Sequence, residues 1–216
     1  LRGRGTRGRS DETARPLSLS QLGFFGDGQR TLVDDETGRM LYVPGFVDAA
    51  SAETWFTELR TAAGWKSERR WMYDREVEVP RLVASYRLSD PALPDVLGDA
   101  ARRAADFTGE PFNSIGLNRY RDGRDSVAPH NDHLYEIVKG HPIGLISLGA
   151  TRLMTIRSKA KPRRVFDLDL ENGSLLLMSY ETQVNYDHGV PKTRADVGER
   201  ISIALRVRPA AQDDRR

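Results

Sequence analysis

His130 and Asp132 stand two residues apart, and in an extended chain positions i and i+2 share a face, so an imidazole and a carboxylate can converge on one ion. A satisfied histidine in a surface turn would read the same way. The third candidate ligand is His188, far downstream in the polar and aromatic segment Asn185-Tyr186-Asp187-His188-Gly189-Val190-Pro191. Two histidines and one carboxylate make a facial set, which leaves positions open on a non-haem Fe(II) for a bidentate organic acid and for oxygen. The chain has no cysteine, so disulfides and thiolate ligands are excluded and any metal must be held by His, Asp and Glu. His133 and His141 remain over and read as surface residues.

A second set of candidates lies near the end of the chain. Ile201, Ile203, Leu205 and Val207 alternate with Arg200, Ser202, Ala204, Arg206 and Arg208, so one face of this strand is core and the other carries arginines. An arginine facing an interior is costly unless an anion meets it, and a guanidinium is shaped to fork onto a carboxylate. Arg200 and Arg206 would sit about 20 Å apart along a strand, so two long side chains leaning inward leave a gap that fits a short dicarboxylate. A solvent-facing edge strand with charged outer residues is the competing explanation. Asn118 and Tyr120, again two apart, can complete an anion pocket, although packing or a turn explains them as well.

These residues need a scaffold to position them. A chain of 216 residues with 38% hydrophobic content can build one core, and no apolar run approaches the roughly 18 residues of a membrane helix, so no membrane association is expected. Residues 1–16 carry Arg2, Arg4, Arg7, Arg9 and Arg15 against only Asp11 and Glu12, and read as a disordered Gly/Arg tail without the apolar stretch of a signal peptide. Apolar spacing predicts amphipathic helices over about 47–65 and 91–107, both covering a sheet. Beyond Gly109 the chain turns to short strands, expected near 112–121, 143–149, 151–158, 164–170, 174–180 and 200–208. The pairs Asp122-Gly123, Gly149-Ala150 and Asn172-Gly173 punctuate them, the last as a tight hairpin. The expectation is an α+β, mainly β fold in one domain over 17–209. Its N-terminal helical and lid part would be 17–111, its β core 112–209, and 210–216 a C-terminal tail.

Taken in order, Leu117-Asn118-Arg119-Tyr120-Arg121-Asp122-Gly123, His130-Asn131-Asp132, Ser147-Leu148-Gly149-Ala150-Thr151-Arg152, Gly173-Ser174-Leu175-Leu176-Leu177-Met178, His188-Gly189-Val190-Pro191-Lys192 and Arg200 to Arg206 resemble the AlkB family of Fe(II)- and 2-oxoglutarate-dependent dioxygenases. The resemblance covers about residues 70–208 and includes Val79-Pro80-Arg81-Leu82. It implies a double-stranded β-helix, or jelly roll, with His130, Asp132 and His188 on iron and Asn118, Tyr120, Arg200, Ser202 and Arg206 around 2-oxoglutarate. It further implies that O2 and 2-oxoglutarate yield succinate, carbon dioxide and an oxidant that hydroxylates a C–H bond. On an N-methylated base, the hydroxymethyl product releases formaldehyde.

The departures from the family pattern fall where substrate would sit. The layout is most similar to the subgroup with the duplex-DNA repair enzymes, yet the acidic cluster after His-x-Asp is reduced to Glu136 in His133-Leu134-Tyr135-Glu136. The segment after Pro80-Arg81-Leu82 runs from Tyr86 through Arg87-Leu88-Ser89-Asp90 toward the helix, which reads as a shortened lid. Ser202 replaces a common asparagine. A flipped base needs flat faces on both sides. His130 is one candidate, with Tyr86, Tyr135, Trp71 and Tyr73 for the other, and Arg81 and Glu136 as further substrate contacts. Lys159-Ala160-Lys161-Pro162-Arg163-Arg164 can track phosphates or be a solvated basic loop.

The leading expectation is oxidative demethylation of N-alkylated bases in DNA or RNA, with Fe(II), 2-oxoglutarate and O2 as cofactor and cosubstrates and nucleic acid as partner. The alternatives are a 2-oxoglutarate-dependent hydroxylase of a protein or small molecule, and a non-catalytic nucleic-acid-binding module. A monomer in the cytoplasm is the default expectation.

Overall fold

Two helices form where the apolar spacing puts them, as a computed structural model that describes residues 28–72 and 75–210 shows. Helix α1 (Ala49–Ala62) starts at Asp48, whose carboxylate accepts the Ser51 N–H at 2.9 Å and so satisfies one of the open donors of the first turn. It buries Ala52, Trp55 and Leu59, four residues or fewer apart on one stripe. Helix α2 (Asp95–Thr108) buries Val96, Leu97, Ala100 and Ala104 and ends at Gly109, whose φ of 74° is the left-handed stop that glycine adopts without steric cost. The Gly/Arg tail of residues 1–16, the C-terminal residues 211–216 and Tyr73 lie outside the described residues.

The strands are β1 (Arg30–Asp35), β2 (Gly38–Val43), β3 (Lys66–Met72), β4 (Arg75–Arg87), β5 (Ser114–Tyr120), β6 (Val127–His130), β7 (Ile143–Gly149), β8 (Arg152–Ser158), β9 (Val165–Leu170), β10 (Leu175–Met178), β11 (Tyr186–Val190) and β12 (Arg200–Arg206). They build an eight-stranded sheet in the order β1-β2-β10-β7-β12-β5-β4-β3 and a four-stranded sheet in the order β6-β11-β8-β9, every pair antiparallel. From β5 onward the chain crosses between the two sheets at almost every step, staying in one sheet only for the β8–β9 hairpin. This is the jelly-roll arrangement.

That crossing corrects the expected turn at Asn172-Gly173. It does not close a hairpin, because β9 and β10 belong to different sheets. Gly173 (φ 74°) instead passes between layers, its N–H donating to the Ser147 carbonyl and its carbonyl accepting the Val47 N–H, both at 2.8 Å. Gly149-Ala150 and Asp122-Gly123 also change layer, in the opposite direction, from the larger sheet to the smaller one.

The N-terminal part is also richer in strand than expected. β2 pairs with β10 and β4 with β5, so four strands preceding residue 112 extend the larger sheet. The segment after Pro80, expected as a shortened lid, continues β4 as far as Arg87, and β4 forms a long hairpin with β3 at that sheet's edge. The strand expected to reach residue 180 stops at Met178, and Tyr180–Asn185 forms a short helix, α3, opened by the Ser179 carbonyl accepting both the N–H and the hydroxyl of Thr182.

The larger sheet buries both faces. On one, Ile201, Ile203, Leu205, Leu117 and Ile115 pack under α1 and α2; on the other, Tyr120, Leu145, Leu176 and Ala204 meet Met154, Ile156 and Tyr186 of the smaller sheet. Each large aliphatic side chain taken fully from water adds about 1.5–3 kcal/mol. Burial on both sides holds β12 firmly, and its inward face is the one that carries the arginines.

Candidate metal centre

His188 comes from β11, which pairs with β6 so that His188 stands directly opposite His130. The close approach depends on Gly189, where an added Cβ would lie 2.9 Å from both the Pro129 nitrogen and the Val127 carbonyl oxygen. Strand β6 ends at His130, so Asp132 reaches the site from the following loop and not, as the spacing argument had it, from a continuing strand. The outcome is the same convergence: the ligand atoms of His130, Asp132 and His188 all lie within 4.8 Å of one another.

Their protonation suits a cation. His130 Nδ1 is 2.9 Å from the Ala128 carbonyl, which can only accept, so Nδ1 carries the proton and Nε2 keeps a lone pair for metal. Burial pushes the His188 pKa from its ordinary 6.5 to about 3, with His130 adding to the depression, so its ring is neutral. For Asp132 burial is the largest single influence and works the other way, but the Arg206 guanidinium, with smaller help from His188 and His130, holds the carboxyl below its usual range. Arg206 Nε donates to Asp132 Oδ2 at 2.6 Å. The expectation had Arg206 lean into a gap shared with Arg200; the structure adds that its Nε is spent on a metal-ligand candidate. Gly116 makes room for it, since a Cβ there would stand 2.9 Å from Arg206 Nη1.

Arg200 is the other case. It is 1% exposed, donates from Nη2 to Ser147 Oγ at 2.8 Å, and keeps Nε and Nη1 without a hydrogen-bond partner among the described residues. Burial presses its pKa down, yet a guanidinium does not shed its proton, so the structure holds an uncompensated buried cation with its fork half open. A carboxylate is the group that satisfies both nitrogens. Tyr120 stands opposite Arg200 in the β5–β12 register, with the Arg200 guanidinium 5.1 Å from its ring centroid and Arg152 at 5.6 Å. Next along the same face, Asn118, Ser202 and Ser147 form a polar row across three strands, Asn118 Nδ2 lying 3.5 Å from Ser202 Oγ. The residues therefore fit a divalent metal and, beside it, an anion such as 2-oxoglutarate.

The expected substrate contacts divide. Arg81 is on the site's side of the sheet, donating from Nε to Asn118 Oδ1 at 2.7 Å. Tyr86 is not: it pairs with Ile115, packs with the helix-side core, and its hydroxyl accepts the Gly64 N–H at 2.9 Å. The period of two in β4 puts it on the opposite face from Arg81 and Val83. Tyr135 is 77% exposed in a one-turn 3-10 segment (Leu134–Glu136) and stacks on His133, their centroids 5.2 Å apart. Glu136 is engaged by Arg208 at 2.7 Å. His133 is exposed as expected, whereas His141 is half-buried and bonded to Glu110 at 2.7 Å.

Sequence reasoning did not single out Ser147 or Gln183. Ser147 was visible in principle as the one polar side chain in the buried run Ile143–Gly149. Gln183, whose Oε1 accepts the Asp132 N–H at 3.0 Å, sits on a helix that sequence periodicity did not reveal.

Three ligands on one side of an ion leave its other side open, and a jelly roll that carries them next to an anion-seeking arginine defines the non-haem iron oxygenase class. The profile of the 2OG-Fe(II) oxygenase superfamily matches residues 39–206, and the chain belongs to that superfamily. Similar curated proteins include "Alpha-ketoglutarate-dependent dioxygenase alkB homolog 3" of Bos taurus, 31% identical over 187 residues, 78% of this chain and 65% of that protein. "DNA oxidative demethylase ALKBH2" of Homo sapiens is 35% identical over 106 residues, 46% of this chain and 41% of that protein. The chain thus spans less than two thirds of the length of these relatives. Among solved structures, the non-haem alpha-ketoglutarate-dependent epimerase SnoN from nogalamycin biosynthesis superposes with a TM-score of 0.58 at 15% identity, over 81% of this chain and 82% of its own, a likeness of fold.

Proposed function

We propose that this chain is an Fe(II)- and 2-oxoglutarate-dependent dioxygenase that removes N-linked alkyl groups from bases of DNA or RNA. The observation that carries the reading is the buried Arg200, two of its nitrogens unmet among the described residues, beside an assembled His130, Asp132 and His188. The names of the relatives, an alpha-ketoglutarate-dependent dioxygenase and a DNA oxidative demethylase, support the substrate class.

Bound Fe(II), with 2-oxoglutarate and O2, supplies the oxidation of a methyl C–H to a hydroxymethyl group, with succinate and carbon dioxide as co-products. His130, Asp132 and His188 hold the ion. Arg200, with Ser147 beside it, would hold a carboxylate of 2-oxoglutarate, and Asn118, Tyr120 and Ser202 would line its pocket. Arg206 keeps Asp132 ionised, and Arg81 orients the Asn118 amide. An N-hydroxymethyl base then collapses to the N–H base and formaldehyde. Exposed Tyr135 offers an aromatic face at the rim, and the exposed Lys161 and Arg163 offer charge to phosphates.

The test is Fe(II)-dependent conversion of 2-oxoglutarate to succinate, with and without an oligonucleotide carrying N1-methyladenine or N3-methylcytosine, and Asp132→Ala as the blank. Stimulated turnover with formaldehyde release is expected. Succinate formed at the same slow rate whether or not the methylated strand is present would move the substrate away from nucleic acid while leaving the iron site standing.

A further inference from the structure

Asp132 presents a problem of position. It lies beyond the end of β6, so no strand ladder fixes its backbone, yet its carboxylate must meet two histidines that are fixed by strands. Arg206 restrains the carboxylate but not the backbone. The backbone is held from behind by Gln183, 1% exposed on α3, whose Oε1 accepts the Asp132 N–H at 3.0 Å. The amide is itself fixed in orientation. Its Nε2 donates to Thr182 Oγ1 at 3.2 Å, and Thr182 Oγ1 donates to the Ser179 carbonyl at 2.6 Å, so turning the amide over would break a connected series of bonds.

Lys159 closes the arrangement. Its Nζ donates to Asn131 Oδ1 and to the Gln183 carbonyl, both at 3.2 Å, and stands 3.6 Å from Asp187 Oδ1. Asn131 lies between two ligands and Asp187 precedes the third, so one ammonium, with three donors for three acceptors, ties both ligand-bearing segments to α3. Its own backbone N–H is pinned to the Asn185 carbonyl at 2.8 Å. Lys159 is the first residue of the basic stretch, and these contacts tie its exposed side chain to the segments that carry the ligands.

We propose that Gln183, with Lys159, is the positioning device that sets the affinity of the metal centre by fixing the His130–Asp132 segment before any ion arrives. The inference rests on the reading of His130, Asp132 and His188 as a metal site. It requires no particular substrate. Lys159 also offers a discriminating sign: a cation so close to the site repels a divalent ion, so removing its charge should by itself tighten binding. If Lys159 acts through geometry, its removal weakens binding instead.

The experiment is Co(II) titration of the full chain, followed by visible absorption of the bound ion, which needs neither turnover nor nucleic acid. Gln183→Leu keeps the volume and deletes the acceptor; it is expected to weaken Co(II) binding about tenfold to a hundredfold, the range for losing a partner of a metal ligand, while the metal-free protein unfolds at nearly the parent temperature. Lys159→Met should weaken binding in the same direction, and Lys159→Arg should restore most of it. Affinity of the Co(II) form for 2-oxoglutarate should be unchanged in all three, since none touches Arg200. Co(II) affinity within about twofold of the parent for a folded Gln183→Leu overturns the proposal, and so does tighter binding by Lys159→Met. Should Gln183→Leu fail to fold, the exposed Lys159 pair decides by the same criterion. A parent chain that takes up no Co(II) overturns the metal reading and this inference together; equal uptake by parent and variants overturns this inference alone.

Discussion

Arg200 and Arg206 stand at opposite ends of β12 on the same face, and the molecule treats them differently. Arg206 is neutralised within the chain by Asp132 at 2.6 Å, whereas Arg200, more deeply buried, meets no carboxylate among the described residues and has Ser147 and Tyr120 beside it. The chain neutralises one arginine itself and leaves the other with two nitrogens unmet among the described residues. The two should therefore respond in opposite ways to the loss of charge, and that opposition can be broken by experiment.

The largest effect is expected at Arg200. Arg200→Met removes the buried cation that the proposed function assigns to 2-oxoglutarate, and loss of one partner of a buried charge pair costs about 2–5 kcal/mol, so 2-oxoglutarate affinity should fall by about a hundredfold. The same variant without ligand should be as stable as the parent or more so, because it deletes an unpaired buried charge. Isothermal titration and urea unfolding of the metal-free protein measure the two halves. Equal 2-oxoglutarate affinity in parent and variant would end the assignment.

Arg206→Met should do the reverse to stability. It strands the Asp132 carboxylate in a buried position, and breaking such a pair costs about 3–5 kcal/mol, read as a lower urea midpoint at neutral pH. If both variants lose stability alike, Arg200 has a protein partner after all and the contrast is void.

Acid sharpens the same comparison at the ligands. His188 binds its proton only near pH 3 when folded but near 6.5 when unfolded, so the unfolded chain takes up protons first as pH falls. Stability of the metal-free protein is therefore held above pH 6.5 and lost progressively between 6.5 and about 3, with Asp132, also depressed, adding to the loss at the acid end. Urea unfolding at pH 7 and pH 5 should show the drop, and His188→Leu should flatten it. A slope that survives His188→Leu would place the titrating group elsewhere.

The smallest effect is expected at Gly116. Alanine there brings a methyl 2.9 Å from Arg206 Nη1, the far end of a flexible arm, so the cost should be about 1 kcal/mol, with a modest weakening of Co(II) binding as Arg206 shifts from Asp132. No change in either quantity would mean that Arg206 does not need its seat over Gly116.

How much of this was legible beforehand depended on whether a property is carried by residue type or by register. The convergence of His130, Asp132 and His188 was legible from residue type together with the family resemblance, and alternation along 200–208 already separated the arginine face from Ile201, Ile203 and Leu205. The helices were readable from their apolar stripes and from Asp48 and Gly109 at their ends. Tyr86 was misassigned because whether it faces the metal or the helices depends on the pairing of β4 with β5, which no local pattern reveals. Asn172-Gly173 has the composition of a hairpin turn, and only the partner strands show that it changes layer. Gln183 was invisible for a similar reason: its role is defined by Asp132, distant in sequence, and six-residue α3 is too short for periodicity to announce.

The alternation of strands between layers has a consequence in time. Of the connections after β5, only β8 to β9 closes between sequence neighbours within a sheet; every other pairing there waits for a distant strand. Folding dominated by non-local pairings is slow, on the scale of about milliseconds to seconds. His130 and His188 face each other only once β6 has found β11, a pairing that bridges most of the C-terminal half. Ion capture should thus be among the last events of refolding, and the colour of bound Co(II) a clock for its completion.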